Sequence, residues 1–118
     1  MARRVMILTS LTVAREFRVR FEGFLGGLRV IEIGNELGEY CGKVLAGLGA
    51  DVVRVEPPGG EVTRAYGPFH RDTAHPDRSL YFWHYNLGKR SVVLDLDEAE
   101  DQERFRRLAV RLLQLPRR

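Results

Sequence analysis

The residues of this chain best placed to do chemistry fall in three short stretches. The first is Gly34-Asn35-Glu36-Leu37-Gly38, which follows an aliphatic run and opens an amphipathic one. Glycines at a strand-to-helix turn let backbone amides approach a phosphate at the positive end of a helix. The same glycines also suit a tight turn that binds nothing. Gly34, Gly38 and Gly42 do not have the G-x-G-x-x-G spacing of a dinucleotide-binding turn. The second stretch ends at Glu56, 22 residues after Gly34. A dinucleotide domain carries its ribose-binding acid at about that distance, and a strand-end acid that faces water fits equally well. The third is a set of cations, Thr63-Arg64 and Lys89-Arg90, which read either as phosphate ligands or as solvated surface side chains.

Other reactive residue types are poorly placed. His70, His75 and His84 have no cysteine or acid at a metal-ligand interval, so no zinc site is expected. The single cysteine, Cys41, cannot close an internal disulfide and sits on the apolar side of an expected helix, where it reads as a small core residue. No serine or cysteine has a sequence-visible base partner.

The elements that must position these residues follow an α/β pattern. Leu28–Ile33 is short and rich in branched aliphatics, as a buried parallel strand is. Leu37, Tyr40, Cys41, Val44, Leu45 and Leu48 recur at steps of three and four, which predicts a helix over 38–48 with that face covering the sheet. Gly49 suits the left-handed residue after a helix. "ADVVRVE" predicts a second strand, ended by Pro57-Pro58-Gly59-Gly60. Together these give a right-handed parallel βαβ unit. Residues 59–79 have loop composition, "LYFWHYN" (80–86) is an aromatic cluster without a clear period, and "KRSVVLDL" (89–96) predicts a third strand. Asp97 then caps a helix with Glu100 as its capping-box partner, and Phe105, Leu108, Ala109 and Leu112 share its apolar face. The expected division is a basic lead over 1–24, helical across Leu11–Phe21, followed by an α/β domain over 25–118.

Composition limits the function classes. The net charge of +3 is uneven: residues 1–28 carry +3, residues 29–101 carry −5, and residues 102–118 carry +5. Basicity confined to the ends argues against nucleic-acid binding, which places arginines on the folded face that meets phosphate. No run approaches the ~18 apolar residues of a membrane span. "MARRVMILTSLTV" has the basic-then-apolar shape of a signal peptide but no small-residue cleavage site. With one cysteine, this favours a cytoplasmic location.

In combination, "GLRVIEIGNELGEYCGKVLAGLGADVVRVEPPGG", "TRAYGPF" and "SLYFWHYNLGKRSVVLDL" resemble the N-terminal region of CoA-transferase family III. This is the CaiB/BaiF group, which includes formyl-CoA transferase, carnitine-CoA transferases and α-methylacyl-CoA racemase. The resemblance covers Leu25 to Leu113 and is carried by G-x-R-V-I-E, L-G-A-D-V-x-x-V-E-P and N-x-x-K-R-S-x-x-L-D-L in order. It implies a Rossmann-like large domain, a smaller domain and interlocked homodimers. It also implies CoA transfer between carboxylic acids through an aspartate, with acyl-CoA and a carboxylic acid as substrates and no permanently bound cofactor. The residues implied to contact CoA are Glu36, Leu37 and Gly38 in the first turn, and Leu94, Asp95, Leu96 and Asp97 at the adenosine end. Glu36 stands where many members carry a neutral residue, and Pro57 where an arginine often reaches the CoA phosphates. The family's catalytic aspartate lies beyond the C-terminus of this chain, and none of Asp51, Asp72, Asp77, Asp95, Asp97 or Asp101 falls in its motif. The expectation is an N-terminal part, inactive alone. A stand-alone CoA- or nucleotide-binding module and a racemase relative are the alternatives.

Overall fold

A computed structural model of the chain describes residues 23–113. Residues 1–22 of the basic lead, with its expected helix, and the final residues 114–118 lie outside the described residues. Three parallel strands form one sheet in the order β1 (Arg29–Ile33), β2 (Asp51–Glu56), β3 (Arg90–Val93). Ile31 pairs with Val53, Glu32 with Arg54, Val53 with Arg90 and Val55 with Val92. Helix α1 (Glu36–Gly47) joins β1 to β2, which bears out the parallel strand-helix-strand reading.

Strand alternation sends neighbouring side chains to opposite faces. One face therefore carries Glu32, Arg54, Glu56 and Ser91, and the other Ile31, Val53, Val55 and Val92. The apolar face is covered in part by α3 (Ala99–Leu113), whose Phe105, Leu108 and Ala109 are half-buried and which packs toward β1. The polar face lies under α1, and this overturns an expectation. Most of the stripe predicted to cover the sheet points outward: Leu37 is 88% exposed and Tyr40 62%, with Val44, Leu48 and Cys41 also exposed, while Leu45 is half-buried. The side of α1 that meets the sheet holds Glu39 and Gly42, Glu39 being fully buried. The cause is electrostatic. Glu39 is drawn to Arg54, and Gly42 lets the helix come close enough for a Cβ there to overlap the Glu32 carboxylate. Cys41 is consequently a surface residue and not a core one.

Other boundaries shift for identifiable reasons. Helix α1 ends with Gly49 at φ +101°, the left-handed position its glycine suits. The aromatic cluster forms α2 (Leu80–Asn86), capped by Ser79, whose Oγ accepts from the Phe82 amide at 3.0 Å. The third strand stops at Val93, three residues early. The Leu94 amide still donates to the Glu56 carbonyl at 3.0 Å, after which the chain turns away. Asp97 does not cap α3 at the helix boundary; its amide donates to Asp95 Oδ1 at 3.1 Å in a local turn, and α3 starts at Ala99.

Candidate functional site

All three strands end at one edge of the sheet, where open α/β folds bind ligands. The first turn lies there. Gly34 adopts φ +137°, and its carbonyl accepts from Arg54 Nη2 at 2.9 Å. Asn35 caps α1, its Oδ1 accepting from the Leu37 amide at 3.2 Å, while the Gly38 amide donates to the Asn35 carbonyl at 3.1 Å. Two amides that could have met a phosphate are therefore engaged. Glu36 is exposed beside Leu37, and Glu36 with Glu39 makes the first helical turn acidic, which disfavours an anion.

The second implied contact, Leu94–Asp97, leaves the same edge on the far side of β2. Leu94 is buried, Asp95 and Leu96 are half-buried, and Asp97 is exposed. The buried Asp101 carboxylate holds this turn by accepting from the Asp95 amide at 2.8 Å, and Gln102 Nε2 donates to the Leu96 carbonyl at 2.8 Å. The two implied CoA segments thus flank the end of β2 in a turn-and-turn arrangement, with their backbones largely fixed.

Between them sits Glu56, and its role differs from both readings offered by the sequence. It is 1% exposed, so it neither reaches a ribose nor faces water. Arg64 grips it through Nε at 2.6 Å and Nη2 at 2.7 Å, Ser91 donates its hydroxyl, and the Glu61 amide donates at 2.9 Å. Burial pushes the Glu56 carboxyl up, but the hydrogen bonds from Arg64, Ser91 and the Glu61 amide, with the Arg64 charge, outweigh it and leave the pKa below the usual carboxylate value. A cleft of about 250 Å³ opens beside this pair, bounded by Gly59, Gly60, Pro76 and Asp77.

A second buried cluster lies deeper, between sheet and α1. Arg54 bonds Glu32 at 2.8 Å, Glu39 at 3.0 Å and Glu61 at 3.0 Å. Lys89 Nζ donates to both Glu32 oxygens, at 3.0 and 2.9 Å, and to the Glu39 backbone carbonyl at 2.8 Å. Thr63 Oγ1 donates to Glu39 at 2.6 Å. Burial lowers the Lys89 pKa, and its hydrogen bond to Glu32 and the charge of that acid do not fully compensate. Arg64 and Lys89, offered by the sequence as possible phosphate ligands, are consumed by internal acids. Thr63 is likewise internal, and Arg90 is exposed on the opposite sheet face with Asp51 as its partner.

Sequence reasoning missed the pairing of these charges. The signal was present: Glu32, Arg54 and Glu56 interrupt aliphatic strands at positions that alternate onto one face. Among the described residues no group of histidine, cysteine and acids is placed to hold a metal ion, and no helix is long and apolar enough to cross a membrane.

Comparison with known proteins matches this architecture. The model of CoA-transferase family III matches residues 25–111. Succinyl-CoA:(R)-benzylsuccinate CoA-transferase subunit BbsE of Thauera aromatica is 44% identical over 80 residues, which is 68% of this chain and 20% of the relative. Succinyl-CoA:mesaconate CoA-transferase of Haloarcula hispanica is 46% identical over 90 residues, covering 75% of this chain and 23% of the relative. The crystal structure of a CAIB/BAIF family protein from Brucella suis superposes with a TM-score of 0.67 at 39% identity, over 75% of this chain and 24% of that one. The chain therefore spans between a fifth and a quarter of the length of these proteins. With a family match over most of its residues and the parallel sheet that such a structure shares, this chain belongs to CoA-transferase family III.

Proposed function

We propose that this chain supplies the CoA-holding edge of an enzyme that moves CoA between carboxylic acids. The observation that carries the reading is the juxtaposition of the Glu36–Gly38 turn and the Leu94–Asp97 turn at the carboxyl edge of one parallel sheet, flanking β2. Leu96, half-buried, offers apolar packing to an adenine, and the backbone of 94–97 is held ready by Asp101. The buried Glu56–Arg64–Ser91 and Glu32–Arg54–Lys89 clusters act as the scaffold that fixes those turns and do not touch the substrate. Acyl transfer between acids needs a carboxylate that attacks the thioester carbonyl and carries the acyl group. No residue of this chain is assigned that role; Asp51, Asp77 and Asp101 already bind arginines. The reading thus gives the chain CoA contact without chemistry of its own, at soluble CoA and acyl-CoA as ligands, in a protein whose full form uses a carboxylic acid acceptor and pairs as a homodimer.

Titration of free CoA into the purified chain, followed by amide shifts, tests this. The expected result is weak binding, on the order of hundreds of micromolar because most of a CoA contact surface is missing, with shifts confined to 34–38 and 94–97. Shifts at the opposite sheet face alone would reject the assignment. Turnover of acyl-CoA with acid acceptors is expected to be nil; turnover abolished by changing one of the six aspartates to asparagine would place the nucleophile in this chain.

A further inference from the structure

The sheet face turned away from α1 carries a groove that the CoA reading does not use. It runs between β3 and α3 and has a volume of about 400 Å³. Its floor is Val53, Val92, Leu94 and Leu108, and its walls are Arg90 on β3 with Arg104, Arg107 and Arg111 on α3. Among the described residues no carboxylate lines it. Positions 104, 107 and 111 share one helical face, with axial rises of about 4.5 and 6 Å between them. The neighbouring acids hold these cations from outside the groove. Asp51 takes Nε and Nη2 of Arg90, and Glu100 and Asp101 take the two Nη groups of Arg104. Glu103 takes only Nε of Arg107, at 3.2 Å, which leaves both of its Nη groups without an acid among the described residues. Arg111 has no acidic partner among the described residues, and the stretch 102–111 holds four arginines against the single acid Glu103.

Surface arginines are ordinarily just solvated. The difference here is a set of guanidiniums arranged around an apolar floor with donors to spare. We propose that this groove docks an extended acidic polypeptide segment in which acidic and apolar residues alternate. An extended chain rises about 3.3 Å per residue, so acids at alternate positions repeat at about 6.6 Å, close to the rise of about 6 Å between Arg107 and Arg111. The intervening side chains project to the opposite side, onto Val92, the half-buried part of the sheet floor. Guanidinium forks match carboxylates in geometry as well as charge. A nucleic acid would satisfy the arginines but present no apolar side chains to the floor. The docking is independent of the CoA reading and shares only Leu94 with it.

Fluorescence anisotropy of a fluorescein-labelled heptapeptide alternating glutamate and leucine, titrated with the purified chain, tests the proposal. Saturable binding is expected, weakening as salt rises. The double variant Arg107→Glu/Arg111→Glu is expected to weaken it at least tenfold, while Arg107→Lys/Arg111→Lys keeps most of it. Both positions are exposed, so thermal melting of the variants should match that of the parent chain and exclude unfolding as the cause. A labelled hepta-glutamate and a seven-nucleotide single-stranded DNA serve as controls, each expected to bind at least fivefold more weakly. Equal binding of either control would reduce the groove to a charged patch and overturn the proposal. No binding of the alternating peptide, or binding unchanged by charge reversal, would overturn it as well.

Discussion

Replacing Arg54 by methionine probes the polar face where its energy is concentrated. Arg54 is 1% exposed and faces Glu32, Glu39 and Glu61 at 2.8, 3.0 and 3.0 Å, while Lys89 is the one other cation in the cluster among the described residues. Methionine keeps much of the aliphatic stem, so the lost volume is small and the change isolates charge. Three carboxylates then share one ammonium. Removing one partner of a buried ion pair costs about 3–5 kcal/mol, because the remaining charge is left without compensation. With a urea dependence of about 1–3 kcal/mol per molar, the unfolding midpoint should fall by about 2 M. Since small domains hold only about 5–15 kcal/mol in total, the variant should sit near its unfolding limit at room temperature. Circular dichroism in a urea series measures this. Adding Glu39→Gln removes one of the stranded acids, so the double variant should recover part of the loss, a non-additivity expected between residues in contact. A midpoint change worth less than about 1 kcal/mol, the size of a surface ion pair, would refute the claim that this cluster is desolvated and governs how α1 sits.

Two further outcomes follow from the same geometry. Gly42→Ala should destabilise the chain by about 1–3 kcal/mol, the range for forcing extra volume into a packed interior, because its Cβ would meet the Glu32 carboxylate and Lys89. Gly38→Ala, with open space around its Cβ in the same helix, should instead stabilise by up to about 1 kcal/mol; equal responses in urea melts would contradict the assignment of the buried face. The Glu56 carboxyl, held below its unfolded value of 4.5, contributes stability that is fully present above that pH and drains away as pH falls through the lower folded value. Melting temperature recorded against pH should therefore drop on the acid side of 4.5, and Glu56→Gln should flatten that limb; an unchanged slope would count against the Arg64 pairing.

The strands were legible because branched aliphatics in short runs have few other places to go. Leu28–Ile33, Asp51–Glu56 and the start of "KRSVVLDL" all became parallel strands within a few residues of the expected limits. The turns at 36–38 and 94–97 lie at one edge of the sheet because a parallel topology sends the chain after β1 and after β3 to the same side. What the residue pattern did not disclose was the fate of Glu56, Arg64 and Lys89. A cation or an acid taken singly reads as a surface or ligand group. Only the register, which places Glu32 against Arg54 and Arg54 against Ser91, shows that they neutralise each other inside.

The orientation of α1 shows where hydrophobic periodicity stops being informative. Leu37, Tyr40, Val44 and Leu48 do form one face, so the amphipathic reading of the segment was correct. Periodicity reports that a helix has an apolar side; it does not say which neighbour takes it. Here the sheet surface beneath α1 carries Glu32 and Arg54, and an apolar stripe laid on it would strand both in a dry interface, at a cost of several kcal/mol for each ion. Turning Glu39 inward gives Arg54 Nη2 a carboxylate partner at 3.0 Å, and the Glu39 carbonyl accepts from Lys89. The helix follows the stronger demand, and Leu37 and Leu48 face outward as a consequence.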